Sequence, residues 1–281
     1  MKKNWVKALL GIMSILALTA CGDSEAAETG TGDTAATAPT TVADIQEKGE
    51  LVVVTSADYP PYEWHLVKDG KDTVVGFDID IAQKIADELE VELVINDMDF
   101  NGLIPAVSTG KADLVIAGMN PTPERAENVD FTDVYVTTQD VVLIKKEDQD
   151  KFNSPESLKD MKWATQKATI QEDFLKESYP DSYLQSVGKW GAAILSLTTG
   201  KVDGILMVET VANQYAKSNE DLAVAEIDLG SEPNQAAIAV QKGSDDLLTT
   251  VNDILKGMQA DATIDELIEK NTQLMEDNNA N

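Results

Sequence analysis

From residue 42 onward the chain alternates between short apolar runs and stretches in which apolar residues recur at helical spacing. The run from Leu51 to Val54 is rich in β-branched residues, which is typical of a strand buried on both faces. Residues 78–89 place most of their apolar side chains near one helical face, which predicts an amphipathic helix. Further strands are predicted at residues 91–95, 114–116, 141–144, 162–165, 205–208 and 236–240, and further helices at 103–107, 171–178, 192–199, 245–259 and 263–269. Because strands and helices alternate, the pattern predicts an α/β fold with parallel sheets.

One local pattern occurs twice, as residues 106–113 (AVSTGKAD) and again as residues 196–203 (SLTTGKVD). Both copies predict a helix that stops at a glycine, followed by a Lys-x-Asp turn into an apolar strand. Two interpretations are open: a common helix-to-strand turn used twice, or two similar α/β lobes. With two lobes, the cleft between them is the expected small-molecule site, since α/β folds bind ligands beyond the carboxyl ends of their strands.

The first twenty residues resemble a secretory signal. Three lysines (Lys2, Lys3 and Lys7) precede an apolar run at residues 8–18 that is too short to span a membrane comfortably. Residues 18–22 (LTACG) resemble the lipobox of bacterial lipoproteins, which implies cleavage before Cys21 and a diacylglycerol on its sulfur. The alternative is an ordinary signal peptide with a cysteine close to the cut. Residues 21–41 are small and polar, which predicts a flexible tether between a lipid bilayer and the folded body.

Composition narrows the possible functions. A chain of 281 residues forms one large domain or two modest ones, and a formal charge of −28 argues against a nucleic-acid partner. One cysteine (Cys21) and one histidine (His65) exclude a disulfide framework and a structural zinc site of Cys/His type. Of the 22 basic residues, Arg125 is the one arginine and all the others are lysine.

The loop after the first predicted strand carries aromatic side chains on a stiff backbone. Residues 55–64 (TSADYPPYEW) combine two consecutive prolines with two tyrosines and a tryptophan. Aromatic faces held on such a loop form a wall of a binding site. The alternative is a surface turn whose aromatic rings pack into the core.

A second loop, residues 117–125 (AGMNPTPER), predicts a carboxylate site. Gly118 allows close approach of the backbone to a ligand, and Thr122 is the expected cap of a helix that starts at Pro123. The planar guanidinium of Arg125 binds a carboxylate at two points, which lysine does not reproduce. The alternative is a surface ion pair of Arg125 with Glu124 or Asp130.

The motifs together resemble the extracellular solute-binding proteins that serve polar amino-acid ABC importers. The resemblance rests on these segments, in order along the chain: residues 59–63 (YPPYE), 76–81 (GFDIDI), 100–105 (FNGLIP), 122–125 (TPER), 129–132 (VDFT), 166–172 (QKATIQE) and 237–243 (AIAVQKG). It covers about residues 42 to 272. It implies a periplasmic-binding-protein-like fold of two lobes joined by two crossings, which closes on an amino acid by hinge motion.

The resemblance also implies roles for particular residues. Arg125 corresponds to the clamp for the ligand α-carboxylate, helped by backbone groups of Gly118 and Asn120 and by Thr169 from the other lobe. Tyr59 and Phe100 correspond to walls of the side-chain pocket. Ser56 stands where the family often has a polar or acidic group that reads the ligand side chain. Gln171 is a further polar candidate.

Two positions depart from the family pattern. The acid that binds the ligand α-ammonium corresponds to Val208, and the nearest acid, Glu209, comes one residue later. Since one residue of shift turns a strand side chain to the opposite face, either a bulge returns Glu209 to the cleft or the ligand lacks an ordinary α-ammonium. Ala168 stands where glycine is common.

Other residues receive a structural interpretation. Asp78 and Asp80 lie in the first turn of a predicted helix, where acids favour the helix dipole more often than they perform acid–base chemistry. Trp163 and Trp190 are assigned to the core. His65 has no partner in the sequence for metal or nucleophilic chemistry.

The expected organisation follows from these observations. Residues 42–138 and 231–281 form lobe 1, and residues 139–230 form lobe 2. The expected function is a monomeric, non-enzymatic lipoprotein that faces outside the cell, uses no cofactor, captures a free amino acid and delivers it to a membrane permease. The alternatives are a ligand-dependent sensor or adhesion lipoprotein, and a dehydratase-like enzyme on the same scaffold.

Overall fold

The computed structural model describes residues 38–279. The predicted signal segment, the lipidation site Cys21 and nearly all of the predicted tether lie outside these residues, so those assignments stay predictions.

Lobe 1 is built on a mixed five-stranded sheet. Its strands are β1 (Glu50–Thr55), β5 (Glu92–Asp97), β6 (Leu114–Val115), β7 (Val129–Phe131) and β15 (Ala239–Gln241). Their order is β5–β1–β6–β15–β7, in which β1 is parallel to both neighbours and β15 is antiparallel to both of its own. The helices of this lobe are α1 (Val42–Lys48), α2 (Phe77–Glu88), α3 (Leu103–Ser108), α4 (Pro123–Ala126), α8 (Asp245–Ala260) and α9 (Thr263–Asn279).

Lobe 2 repeats this plan. Its strands are β9 (Asp140–Lys145), β10 (Trp163–Gln166), β11 (Leu184–Val187), β12 (Gly204–Val208) and β13 (Leu222–Val224). The order is β11–β10–β12–β9–β13, with β10 parallel to both neighbours and β9 antiparallel to both of its own. The helices are α5 (Ile170–Ser178), α6 (Trp190–Thr198) and α7 (Glu209–Ser218). The predicted α/β class is confirmed, although each sheet also contains antiparallel strands.

Two segments cross between the lobes and pair with each other. They are β8 (Val136–Thr138) and β14 (Asn234–Ala236), which form a two-stranded antiparallel ladder. The single strand predicted at residues 236–240 is wrong, because the chain leaves this ladder after Ala236 and joins the lobe 1 sheet at Ala239. Between them the Ile238 N–H donates to Thr132 Oγ1 instead of to a strand neighbour.

The repeated sequence pattern occupies equivalent places in the two sheets. In lobe 1 the pattern leads from α3 into the third strand of the order, β6, and in lobe 2 from α6 into the third strand, β12. Asp113 accepts a hydrogen bond of 2.8 Å from the N–H of Val52, and Asp203 accepts one of 2.9 Å from the N–H of Lys162. Each aspartate therefore pins its turn to the neighbouring parallel strand, which confirms that the pattern marks two similar lobes.

A small antiparallel sheet completes lobe 1 and carries the aromatic loop. It consists of β2 (Asp58–Tyr59), β3 (Glu63–Lys68) and β4 (Lys71–Val75). The sequence did not predict these strands. The loop packs against the start of α2, where the N–H groups of Phe77 and Asp78 donate to the carbonyl oxygens of Pro61 and Tyr62. The rings of Tyr62 and Phe77 lie 4.4 Å apart, so the aromatic loop is anchored in the core.

Candidate functional site

A small cavity lies between the lobes, beyond the carboxyl ends of the parallel strands. Seven of the nine residues predicted to bind the ligand line it: Ser56, Tyr59, Phe100, Gly118, Asn120, Thr169 and Gln171. Its volume is about 20 Å³, which is room for about one water molecule. An amino acid therefore enters only when the lobes move apart, which agrees with a hinge mechanism.

Aromatic rings from both lobes close this cavity. The ring of Tyr59 stacks on that of Trp190, which opens helix α6, with centroids 5.4 Å apart and an interplanar angle of 21°. Tyr59 is also packed against Tyr62 at 5.3 Å. The sequence placed Trp190 in the core. It is indeed buried, but it also lines the cavity, so it belongs to the site as well.

Two buried carboxyl groups stand behind the aromatic loop. Glu63 is 1% exposed, lines the cavity, and has no hydrogen-bond partner for its Oε2. Burial raises the pKa of Glu63 well above its ordinary value, and the neighbouring Asp78 raises it further. Asp78 is fully buried and burial raises its pKa to about 7. The sequence analysis did not single out Glu63. Its position at the end of the aromatic motif YPPYE, residues 59–63, could have indicated a residue of the cleft.

The backbone of Gly118 serves the structure of lobe 1 more than a ligand. Its N–H donates to Asp78 Oδ2 at 2.9 Å, and the hydroxyl of Tyr135 donates to the same carboxyl group. Gly118 has a φ of +55°, and a Cβ there would lie 3.3 Å from the ring of Tyr62. Asp78 therefore has the structural role that the sequence favoured, while Asp80 forms an ion pair with Lys270.

Arg125 lies at the outer edge of the cleft and joins the two lobes. Thr122 caps α4 as predicted, because its hydroxyl accepts a hydrogen bond from the N–H of Arg125. The guanidinium donates from Nη1 to the Asn120 carbonyl and from Nη2 to the Ala168 carbonyl of lobe 2, each at 2.8 Å. It also lies 5.3 Å from the centre of the Phe100 ring.

The environment of Arg125 leaves room for an anion. Within the described residues it makes no ion pair, so the predicted alternative of a pair with Glu124 or Asp130 is not formed, and Asp130 pairs with Lys242 instead. Burial lowers the pKa of Arg125 to about 10, so it remains charged at neutral pH. It lines a second cavity of about 300 Å³, which shares Phe100 with the first and is lined by the acids Glu124 and Asp173 as well.

Amide side chains connect the lobes across the floor of the first cavity. Asn120 of lobe 1 donates to Asn234 Oδ1 at 2.8 Å, and Asn234 donates to Asp140 Oδ1 at 3.2 Å. Gln171 of lobe 2 donates to the same Asp140 oxygen at 2.8 Å. The side chain of Asn120, not only its backbone, therefore belongs to the site, and Asn234 and Asp140 join residues that the sequence missed.

Thr169 and Ala168 shape the start of α5. The hydroxyl of Thr169 caps this helix by accepting from the N–H of Glu172, and it donates to the carbonyl of Gln166 at 2.7 Å. Ala168 adopts a left-handed φ of 63°, which explains why glycine suits this position. Its carbonyl is the one that holds Arg125.

The structure does not bring Glu209 into the cavity. The β12–β9 ladder runs in regular register as far as the pair Val208 and Asp140, so the bulge considered as one alternative is absent at that point. Glu209 is exposed as the first residue of α7, and its N–H donates to the carbonyl of Gln139. The prediction that Glu209 lies in the cleft is therefore wrong for this closed form.

Polar contacts across the mouth of the cleft hold it shut. Helix α6 has no side-chain cap from its own N-cap residue, Lys189, and the carboxylate of Asp58 in lobe 1 accepts from the N–H of Trp190 instead. Lys189 pairs with Asp97 at 2.9 Å. Tyr215 of lobe 2 donates to the carbonyl of Asp58 at 3.1 Å. Asp58 thus completes a helix of the opposite lobe only when the lobes are closed.

Replacing Asp58 with alanine is expected to open the ligand-free protein. Loss of a cap and of a charge-assisted hydrogen bond costs roughly 1–3 kcal/mol, all of it in the closed state. We expect a larger radius of gyration in small-angle X-ray scattering and a ligand affinity lowered by about 10-fold. Glu47→Ala, which removes an exposed acid from α1 of the same lobe, is the control. An unchanged radius together with an unchanged affinity would refute this role of Asp58.

Among residues 38–279 no group of three or more His, Cys, Asp or Glu side chains is arranged to hold a metal ion. No helix in this part of the chain is long and apolar enough to cross a membrane.

Comparison with known proteins gives consistent matches. Residues 51–273 match the family model of bacterial extracellular solute-binding proteins, family 3. The arginine-binding extracellular protein ArtP of Bacillus subtilis is 34% identical over 275 residues, covering 95% of this chain and 97% of ArtP. A crystal structure of an amino acid ABC transporter substrate-binding protein from Streptococcus pneumoniae, bound to L-arginine, is 41% identical with a TM-score of 0.80. It covers 83% of this chain and 97% of the other.

A third relative bears on the alternative functions. The crystal structure of an ancestral amino acid-binding protein, AncCDT-1, described as a precursor of cyclohexadienyl dehydratase, is 36% identical with a TM-score of 0.75. It covers 82% of this chain and 98% of the other.

Proposed function

Because the chain belongs to the bacterial extracellular solute-binding proteins of family 3, we propose that it captures a cationic amino acid of the arginine class outside the cell and delivers it to the permease of an ABC importer. The family that the sequence motifs indicated is thereby confirmed, as is the two-lobed fold that it implied. The lobes separate to admit the amino acid and close over it, and the closed form is the one presented to the permease.

The observation that carries this proposal is that two ionisable groups, one at each of the adjoining cavities, have no ion-pair partner among the described residues. At the outer cavity Arg125 is positive and has no carboxylate in ion-pair contact among the described residues, while Glu124 and Asp173 line the same cavity at longer range. At the inner cavity Glu63 is buried with a free Oε2. Burial disfavours the ionised form of Glu63, and an incoming cation favours it, whereas the charge of Arg125 gains from a carboxylate. A ligand with a carboxylate at one end and a cation at the other therefore suits both ends. Arginine and lysine have this form.

The inner cavity supports a cationic side chain for a second reason. Its lining contains no lysine, arginine or histidine among the described residues, and it presents aromatic faces from Tyr59, Phe100 and Trp190. A guanidinium or ammonium group stacks favourably on such faces. Ser56, at the position that often reads the ligand side chain, contributes a buried hydroxyl that has no hydrogen-bond partner. The relatives named for arginine are consistent with this assignment.

We further propose that the protein performs no catalysis and is held at the outward-facing surface of the cell membrane by lipid on Cys21. The AncCDT-1 relative shows that the scaffold is compatible with a route to a dehydratase, so absence of turnover is tested directly. The purified protein is incubated with L-arginine and, separately, with a hydroxyl-bearing cyclohexadienyl acid; both are followed by NMR, and no product is expected from either. Replacement of Cys21 by alanine is expected to release the protein from the membrane fraction.

The ligand class is tested by isothermal titration calorimetry with L-arginine and L-citrulline. Citrulline has nearly the shape of arginine but a neutral side chain, so it leaves Glu63 without a cation. We expect it to bind at least about 30-fold more weakly than arginine, because a charge-assisted hydrogen bond in a buried site is lost. Equal affinity for citrulline, or preference for L-glutamine, would contradict the proposal of a cationic ligand.

A further inference from the structure

Asp140 is a buried acid that the proposed roles of Arg125 and Glu63 leave unused. It is 9% exposed, at the start of β9, directly after the first crossing between the lobes. Its Oδ1 accepts both amide hydrogen bonds of the cavity floor, from Gln171 and from Asn234. In the described part of the chain its Oδ2 accepts no hydrogen bond and neither oxygen is paired with a cation. Oδ2 therefore remains open to a further donor.

The amides that reach Asp140 show which way the site is polarised. Gln171 and Asn234 both line the cavity, and both turn their NH₂ groups towards Asp140. The carbonyl end of Asn234 accepts from Asn120. The carbonyl end of Gln171 is therefore left facing away from Asp140, as an acceptor. The floor of the cavity presents acceptors backed by a carboxylate, which suits a ligand group that only donates.

Register places Asp140 beside the position where the expected acid is missing. Val208 and Asp140 are direct partners in the antiparallel β12–β9 ladder. Side chains of direct cross-strand partners project from the same face of a sheet, with Cβ atoms about 4.5–5.5 Å apart. A carboxylate on residue 140 therefore lies within one side chain's reach of a group bound beside residue 208.

We propose that Asp140 receives the α-ammonium of the bound amino acid, so that the acid absent at Val208 is supplied from the neighbouring strand. This inference rests on the proposed function, since it requires a ligand with an α-amino group. It removes the need for an unusual ligand, which was the other explanation of the valine. Asp140 Oδ2 accepts from the ammonium, and the carbonyl of Gln171 accepts a second of its N–H groups.

Electrostatics supports the same assignment. Burial raises the pKa of Asp140, and the hydrogen bonds from Gln171 and Asn234 oppose that rise. A carboxylate held in such a place without a counter-ion is stabilised by an incoming cation. Closure of the lobes around an ammonium group then contributes to affinity at the floor of the cleft as well as at its mouth.

The test compares two ligands on two proteins by calorimetry. The ligands are L-arginine and 5-guanidinopentanoate, which is arginine without its α-amino group. Asp140→Asn keeps an oxygen for Gln171 and Asn234 but removes the charge. We expect the variant to bind arginine at least about 30-fold more weakly than wild type and to bind 5-guanidinopentanoate with unchanged affinity. A purely structural role of Asp140 would weaken both ligands alike, and that result would overturn the proposal.

A second variant moves the acid back across the ladder. The double variant Asp140→Asn with Val208→Asp is expected to recover most of the arginine affinity that Asp140→Asn alone loses. If Asp140→Asn alone binds arginine as well as wild type does, the proposal is overturned. If wild type binds neither L-arginine nor its deamino analogue, the proposed ligand class has failed and this inference falls with it. If Asp140→Asn does not fold, the crystal structure of wild type with L-arginine decides: an ammonium nitrogen beyond about 3.5 Å from Asp140 Oδ2 overturns the assignment.

Discussion

Replacement of Arg125 by lysine is expected to lower the affinity for L-arginine by about 100-fold or more, because lysine cannot hold a carboxylate through two parallel hydrogen bonds. The lysine ammonium is also too compact to donate to the carbonyls of Asn120 and Ala168 in the geometry that Arg125 uses. The melting temperature of the ligand-free protein is expected to change much less than the affinity, because the positive charge is kept and only the hydrogen bonds to the carbonyls of Asn120 and Ala168 are weakened. Isothermal titration calorimetry measures the affinity for L-arginine, and differential scanning calorimetry measures the melting temperature.

The converse exchange provides the control. Lys256 lies on α8 of the same lobe, 60% exposed and 3.6 Å from Asp133, so Lys256→Arg alters an amine to a guanidinium far from the cleft. It is expected to leave the affinity unchanged. Arginine bound equally well by wild type and by the Arg125→Lys variant would show that the guanidinium does not hold the ligand.

Replacement of Gly76 by alanine is expected to destabilise the protein by about 3–5 kcal/mol, which lowers the melting temperature by about 10 °C. Gly76 has a φ of +141°, and a Cβ there would overlap the carbonyl of Tyr62 and lie 2.8 Å from the Cα of Glu63. No flexible side chain is available to move, since both contacts are with backbone. The aromatic loop must shift away from α2, so ligand affinity is expected to fall as well.

Gly257 is the matched control for this substitution. It lies exposed within α8, and a Cβ there would have no atom within 4 Å. Gly257→Ala is expected to stabilise the protein by about 0.5–1 kcal/mol, because alanine favours a helix over glycine. A Gly76→Ala protein as stable as wild type would show that the close approach of the aromatic loop to α2 is not required.

Local patterns predicted much of this fold because the relevant interactions are local. The repeated Lys-x-Asp turn fixed two equivalent helix-to-strand junctions, since Asp113 and Asp203 each bind the neighbouring strand in the same way. The cap at Thr122 was equally visible, because it involves residues three apart in the chain. The short strands β2, β3 and β4 escaped prediction because their apolar residues follow no clean alternation.

The parts of the site that the sequence missed depend on contacts between distant segments. Trp190 looked like a core residue, and only the approach of Tyr59 from the other lobe makes it a cavity wall. Asp58 looked like one polar residue in a loop, but it caps a helix more than 130 positions away in sequence. Asp140 faces Val208 only because β9 and β12 pair in one particular register, which a single sequence does not display.

The same limit explains the error at Glu209. Counting along the strand placed Glu209 one residue after the expected position 208, so a bulge was needed to bring it to the cleft. The structure keeps β12 regular up to Val208 and begins α7 at Glu209, so the acid turns outward to solvent. The nearest buried acid came from the adjacent strand instead, and sequence counting along β12 cannot reveal it.

The crystal structure of the protein with bound L-arginine tests the central assignment most directly. We predict that Arg125 releases the Ala168 carbonyl and grips the ligand carboxylate with both terminal nitrogens, while the ligand guanidinium lies against Tyr59 and within hydrogen-bond distance of Glu63. An arginine bound outside the interlobe cleft, or held in it with its carboxylate away from Arg125, would contradict the account.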